Sequence, residues 1–443
     1  MSEDKLDLQQ DISTEHENIT DKPKVKKPIS TTMKFGLFLV IILALLGAAF
    51  ASGIFTSNKA ANMLTLAYVK NMNIKQVDAS IDMTMESLTD SKDEGLNQAA
   101  NIINHLIVNA QVKANLTSAD SFKLLESLTY NYDDTEMFSL NVFMDNNTIA
   151  TNVPGLLDEY IYANYDDVMK LFADRFGVEF KGSVSDYYKL FTTEDIYDYA
   201  KIALDYGKFT MEKINGNIYF GEQATITTKG DNPKDYLCDQ VILSLTGEEY
   251  VKLYVELINK AMLDSRIEGL VKAKLDAAIE ISKDNGVLEM MKITEEQLLT
   301  FDETFSSEYA KIIEELKTEI ESEDFKEQLS ASMPSDDTFK FIFFIDQDKN
   351  IRAINEDFVT ITKIPSLDET QEIMTTKVKV EIVYNSFDDV TIDKPNLESS
   401  YNITVEPEAT AINLFMEIQG KLGSYLEDRP ALKNIIESPG MIY

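Results

Sequence analysis

Leu106-Ile107-Val108-Asn109-Ala110-Gln111-Val112-Lys113-Ala114 places an apolar side chain at every second residue. That period puts Leu106, Val108, Ala110, Val112 and Ala114 on one face of a strand and Asn109, Gln111 and Lys113 on the other. The same alternation continues on both sides. Upstream, Val77, Ala79, Ile81, Met83 and Met85 predict a strand over 76–88. Downstream, Phe122, Leu124, Leu128 and Tyr130 predict another, and Phe138, Leu140, Val142 and Phe143 a third. Thr117-Ser118-Ala119-Asp120, Asp133-Asp134 and Asp145-Asn146-Asn147 separate them with good turn residues. The pattern is an antiparallel meander with one buried face and one wet face.

Farther out the period changes to that of helices. A helix over 57–70 carries Met63, Leu64, Ala67 and Tyr68 on one side, and a short helix is expected near 94–104. Asn152-Val153-Pro154-Gly155-Leu156-Leu157 is expected to break the meander. Beyond it come a short strand at Tyr160-Ile161-Tyr162 and helices over 166–176 and 186–206. Strands follow at 218–228 and 237–245. Thr246-Gly247-Glu248-Glu249 and Thr294-Glu295-Glu296-Gln297 both have the form of a capping box. The first opens a helix with Tyr250, Leu253, Tyr254, Leu257 and Ile258 as its stripe, with another helix over 266–283. The second opens the longest one, 294–322, whose stripe from Leu298 through Phe305 to Ile320 is expected to pack on a sheet. Strands return at Phe339–Ile345, Ile351–Ile364, 376–386 and 400–405, and a C-terminal helix covers 409–427. The fold class is therefore α+β, with open curved antiparallel sheet or sheets wrapped on helices. The chain divides into two α+β halves, 56–215 and 216–443.

A different feature precedes that fold. Gly36–Phe55 reads GLFLVIILALLGAAFASGIF, twenty residues without a charge. A helix of that length covers about 30 Å, the thickness of a bilayer core. Lys22, Lys24, Lys26, Lys27 and Lys34 precede it with no acid after Asp21. The more cationic flank belongs inside. Residues 1–35 are thus expected as a disordered cytoplasmic tail, 36–55 as a single transmembrane signal anchor, and the bulk of the chain as extracytoplasmic. Ala49-Phe50-Ala51 also fits a signal peptidase, so cleavage after Ala51 is the competing reading.

Composition excludes several functions. Among 443 residues, 76 acids face 41 cations, for a net charge of −35. Nucleic-acid binding needs clustered cations and is excluded. One cysteine (Cys238) rules out an intrachain disulfide framework. Motifs for nucleophile elbows, zinc proteases and phosphate loops are missing, so no catalytic residues and no cofactor are assigned, and the chain is not read as an enzyme. His105, among Ile102, Ile103, Leu106 and Ile107, reads as a core or edge residue, and Cys238 as a packing residue in a strand. His16 falls in the tail. Asp346-x-Asp348-x-Asn350 matches the first ligands of a calcium loop. Ile351 stands where that loop turns on glycine, so a plain hairpin turn is the favoured reading and weak calcium binding the alternative. Residues 160–206 hold eight of the twenty tyrosines, a cluster read as packing before it is read as a binding face.

Three features combine into a resemblance. They are the span followed by helix and meander, the stretch from Val153-Pro154-Gly155-Leu156-Leu157-Asp158-Glu159-Tyr160-Ile161 into Tyr165-Asp166-Asp167-Val168, and the strand ending in Asp388-Asp389-Val390-Thr391-Ile392-Asp393-Lys394-Pro395. Together they resemble membrane-anchored exported proteins of Gram-positive bacteria with an unclosed β-barrel of the lipoprotein-carrier type. The resemblance covers most of residues 75–405 and transfers no site residues. It implies a binding protein of the cell envelope that holds a lipid or lipid-linked component in an apolar concavity. A structural or partner-docking envelope protein and a sensor ectodomain are the alternatives.

Overall fold

The fold, seen in a computed structural model, is described for residues 58–437 apart from 72–73, 90–93, 119–120, 189, 191–195, 231, 333–335, 366–370 and 406. The tail, the 36–55 span and His16 lie outside the described residues.

The strand foreseen around Val108 is Leu106–Asn115 (β2), between β1 (Gln76–Thr89) and β3 (Lys123–Tyr132). The meander continues through β4 (Thr135–Asp145), β5 (Thr148–Val153) and β6 (Leu157–Asn164), each antiparallel to the last. Asn152–Leu157 does not break it as expected. Pro154-Gly155 makes a hairpin turn, with Gly155 at φ +82° and its N–H donating to Asp158 Oδ1 at 2.8 Å.

A second antiparallel run has β9 (Asp235–Thr246), β10 (Thr338–Asp346), β11 (Ile351–Pro365) and β12 (Gln371–Ser386) as successive neighbours. β12 pairs with β1, Ile382 opposite Ile81, so strands from either side of residue 216 share one open sheet. The expected strand over 218–228 is two short ones, β7 (Ile218–Phe220) and β8 (Ala224–Thr227), both on β9. Gly221 follows the first, where a Cβ would stand 2.6 Å from Gln240 Oε1. The 400–405 strand reduces to β13 (Tyr401–Asn402), which pairs parallel with β6 and makes the sheet mixed.

The main core lies on one face of β9, β10 and β11. Phe339, Phe341 and Phe343 alternate along β10 and meet Leu245, Leu243 and Val241 of β9 in register. Helix α1 (Lys59–Asn71) covers them with Ala60, Ala61, Leu64, Ala67 and Tyr68, all buried. Asn58 caps α1 by accepting from the N–H of Ala60 at 2.9 Å, and its amide donates to the Asn215 and Ile218 carbonyls. The short helix near 94–104 is α2 (Glu94–His105), and α3 (Tyr165–Phe176) matches its expected place. The helix expected over 186–206 is a 3-10 turn at Val184–Tyr188 and then α4 (Ile196–Ile214). Beside α4, α5 (Gly247–Leu263) buries Tyr250, Leu253 and Leu257, and α6 (Ser265–Asp284) follows it. Both capping boxes form. Thr246 Oγ1 accepts from Glu249 N at 3.2 Å while Glu249 Oε2 accepts from Thr246 N at 2.9 Å, and Thr294 and Gln297 repeat the exchange.

After the one-turn helix α7 (Val287–Met290), α8 (Glu295–Glu321) departs from expectation. Among the described residues its main neighbours are the helices α5, α6 and α9 (Glu323–Ser332) rather than a sheet. Of its stripe only Phe305 and Ile320 are buried, while Ile312 and Leu316 are exposed. Amphipathic spacing says that a face is apolar; it does not say what arrives to cover it. The C-terminal helix α10 (Pro407–Glu427) likewise leaves Ile412, Phe415 and Met416 in solvent, and α11 (Pro430–Glu437) follows.

Candidate functional site

The register carries the apolar face of the core out across the rest of the sheet. In one row Phe343 stands opposite Ile354, Ile354 opposite Ile382, and Ile382 opposite Ile81. The row runs on through Ala110, Leu128 and Leu140 on β2, β3 and β4. The next row holds Phe341, Glu356, Val380 and Met83, then Val108, Tyr130 and Phe138. Strands spaced about 4.8 Å apart make β12, β1, β2, β3 and β4 a strip roughly 20 Å wide. Helices α1, α4 and α5 sit over the β9–β11 end of these rows, where Phe341, Phe343 and Glu356 are buried and Ile354 is half-buried. On β1 to β4, Ile81, Met83, Ala110, Leu128 and Leu140 are only half-buried, while Val108 is buried. At the far end of β1, beyond the last residue paired with β2, Asn104 of α2 takes over the missing partner. Its Oδ1 accepts from Ser87 N–H and its Nδ2 donates to the Ser87 carbonyl at 3.0 Å.

The opposite face is polar in the same region. Asn109 Nδ2 donates to Asp82 Oδ1 at 2.6 Å and Asn131 Nδ2 to Asn109 Oδ1 at 2.7 Å. Lys229 reaches both Asp82 and Glu381. Toward β4 and β5 that face is crossed by the segment after β12. Ile392 is buried against Phe143 and Ala150, and Lys394 Nζ donates to Asp145 Oδ2 at 2.9 Å. Burial opposes a charge on Asp145, yet Lys394 and the amides of Asn147 and Thr148 hold its carboxyl below the usual range.

One carboxyl group stands within the apolar rows. Glu356 is 6% exposed, on β11 where the helix-covered part of the face meets the half-buried part. Burial pushes its carboxyl up to about 7. Tyr384 of β12 is pushed up to about 12 by burial and by the nearby Glu356, and Tyr68 of α1 is raised by burial, Tyr384 and Glu356. Tyr68 also meets Phe343 edge to face, with ring centroids 5.6 Å apart. Chemically the face offers a broad apolar strip and one proton-holding carboxyl. Alternation foretold the strip; no local signal distinguished Glu356, because its row neighbours come from other strands.

The residues singled out from sequence fall elsewhere. Asp346, Asp348 and Asn350 form the hairpin turn between β10 and β11. Asp346 accepts from Asn350 N at 2.8 Å, Asn350 Nδ2 at 3.0 Å and Arg352 Nε at 2.7 Å. Three donors thus point at the carboxylate that would head a calcium loop. Burial opposes its charge, but Asn350 and Arg352 keep the Asp346 carboxyl below the usual range. Among the described residues no His, Cys, Asp or Glu group gathers as a metal would require. His105 ends α2, pairs through Nδ1 with Asp133 and lies on Tyr132 at 5.3 Å. Cys238 is fully buried, its thiol pushed up to about 11 by burial and then by the charge of Asp346. The tyrosines disperse: Tyr160 and Tyr162 pack near Ile392, Tyr187 bonds Ser282, and Tyr206 lies under Lys260.

No known family matches this chain, and no curated protein does. Among solved structures, the lipoprotein LppX of Mycobacterium tuberculosis aligns with 76% of this chain and 100% of its own, at 8% identity and a TM-score of 0.25. The open α+β architecture rests on the strand pairing of this chain itself. Among the described residues no helix is long and apolar enough to cross a membrane.

Proposed function

We propose that this chain is a binding protein of the cell envelope, anchored through residues 36–55 with its N-terminus cytoplasmic and its folded part extracytoplasmic. Its ligand is a lipid or lipid-linked component, held by burial with no covalent chemistry. One observation carries the reading: the apolar rows Leu140–Leu128–Ala110–Ile81 and Phe138–Tyr130–Val108–Met83 continue the core face past the helices that cover it. Removing apolar ligand surface from water there yields roughly 25 cal/mol per Å². The span accords with α1, which starts at Lys59 and belongs to the main core, so the fold begins close to the proposed membrane surface.

The test is lipid extraction and mass spectrometry on full-length protein purified in mild detergent, beside a Leu128→Glu variant. Co-purifying lipid that the variant loses supports the reading. Equal lipid in both, or none in either, refutes it. A docking role without ligand is favoured by a separate feature, the exposed Ile412, Phe415 and Met416 on α10. It predicts a protein partner that co-purifies with wild type and is lost on Phe415→Asp.

A further inference from the structure

At the end of the sheet where β1 starts and β12 stops, a basin of about 960 Å³ opens beside the β10–β11 hairpin. Lys70, Lys75, Lys234 and Arg352 line it, against Asp388 and Asp389. That inverts the charge ratio of the chain, where acids outnumber cations 76 to 41. An excess of one sign of charge in a cleft concentrates the field and draws in ions of the other sign.

The cations come from four separate elements. Lys70 lies in the last turn of α1, and its ammonium donates to the Asp348 carbonyl in the hairpin. Lys75 directly precedes β1, and Lys234 directly precedes β9. Among the described residues neither has an ion-pair partner. Arg352 is held rigidly. Its guanidinium lies 3.8 Å from the Tyr236 ring centroid and 5.2 Å from that of Phe387, and Asp346 takes its Nε. Among the described residues no group takes its Nη1 or Nη2. A guanidinium fixed in this way presents a planar fork to an oxyanion, with two exposed ammonium groups to complete the charge. The basin is far larger than one carboxylate needs, and several cations favour an anion of more than one charge.

We propose that this basin is a binding site for a phosphate group, free or esterified, with Arg352 as the oriented contact and Lys75 and Lys234 as the neutralising charges. The site stands apart from the apolar strip and does not depend on it.

The experiment is titration calorimetry on the full-length protein in a non-ionic detergent, with inorganic phosphate, glycerol phosphate and monomeric dihexanoyl phosphatidate as probes. Wild type should bind phosphate saturably. Lys75→Gln/Lys234→Gln should weaken binding about 10-fold, the scale for losing two partly exposed charge contacts, while Lys75→Arg/Lys234→Arg restores it. Both lysines are exposed, so the circular dichroism spectrum should be unchanged. Tighter binding of the phosphatidate identifies a lipid headgroup as the source, and equal binding of all three identifies free phosphate. No saturable binding of any probe, or a glutamine variant that binds like wild type, overturns the proposal.

Discussion

Replacing Glu356 by Gln should stabilise the protein at alkaline pH. The carboxyl rises from 4.5 to about 7 through burial alone, and each pH unit of such a change is worth about 1.4 kcal/mol. The folded chain therefore holds this proton more tightly than the unfolded chain. The resulting stability is complete below about pH 4.5 and is lost as pH rises through about 7. Above that point wild type carries a buried carboxylate that costs about 3 kcal/mol. Glu356→Gln has no such cost. In urea unfolding followed by far-ultraviolet circular dichroism (the chain has no tryptophan), the variant should exceed wild type by about 3 kcal/mol at pH 8. The gap should close toward pH 4. Asp82, Asp145 and Asp346, whose carboxyls are lowered, lose stability as pH falls, but they do so in both proteins and cancel. A gap that is flat between pH 5 and pH 8, or a variant less stable than wild type at pH 8, would refute the placement of Glu356 in a dry row.

Thr246→Ala removes the acceptor for Glu249 N–H and should cost about 1 kcal/mol in the same assay. Arg352→Ala leaves Asp346, 4% exposed, without its ionic partner and should cost about 3 kcal/mol, with Asp346→Asn/Arg352→Ala recovering part of the loss. Cys238 should resist a thiol reagent at pH 8 in the folded state and react at the rate of a free thiol in urea, because its thiol is fully buried and its pKa stands at about 11. Millimolar calcium should shift the melting temperature no more than magnesium does, since Asp346 already accepts from Asn350 and Arg352.

Local chemistry made much of the fold legible. Alternation placed β1 to β4, and the Thr-x-x-Glu and Thr-x-x-Gln patterns placed two helix starts, because a strand face and a cap are each settled within a few residues. The misreadings concern what neighbouring chain segments do. Pro154-Gly155 could end a meander or turn it into another hairpin, and only the pairing of β5 with β6 separates the two. The stripe of α8 was apolar as read, yet helices cover only its Phe305 and Ile320.

The residues alone determined the element types, the polar and apolar sides of each strand, the excess of negative charge and the uncharged run at 36–55. Tertiary structure decided that β1 and β12, separated by most of the chain, lie side by side. That pairing aligns Ile81 with Ile382. The pairing of β11 with β10 and β12 sets Glu356 between Phe341 and Val380, and the packed fold brings Lys70, Lys75, Lys234 and Arg352 around one basin. Side-chain direction is fixed by the backbone period within a strand, whereas burial and electric field are sums over every segment that arrives nearby.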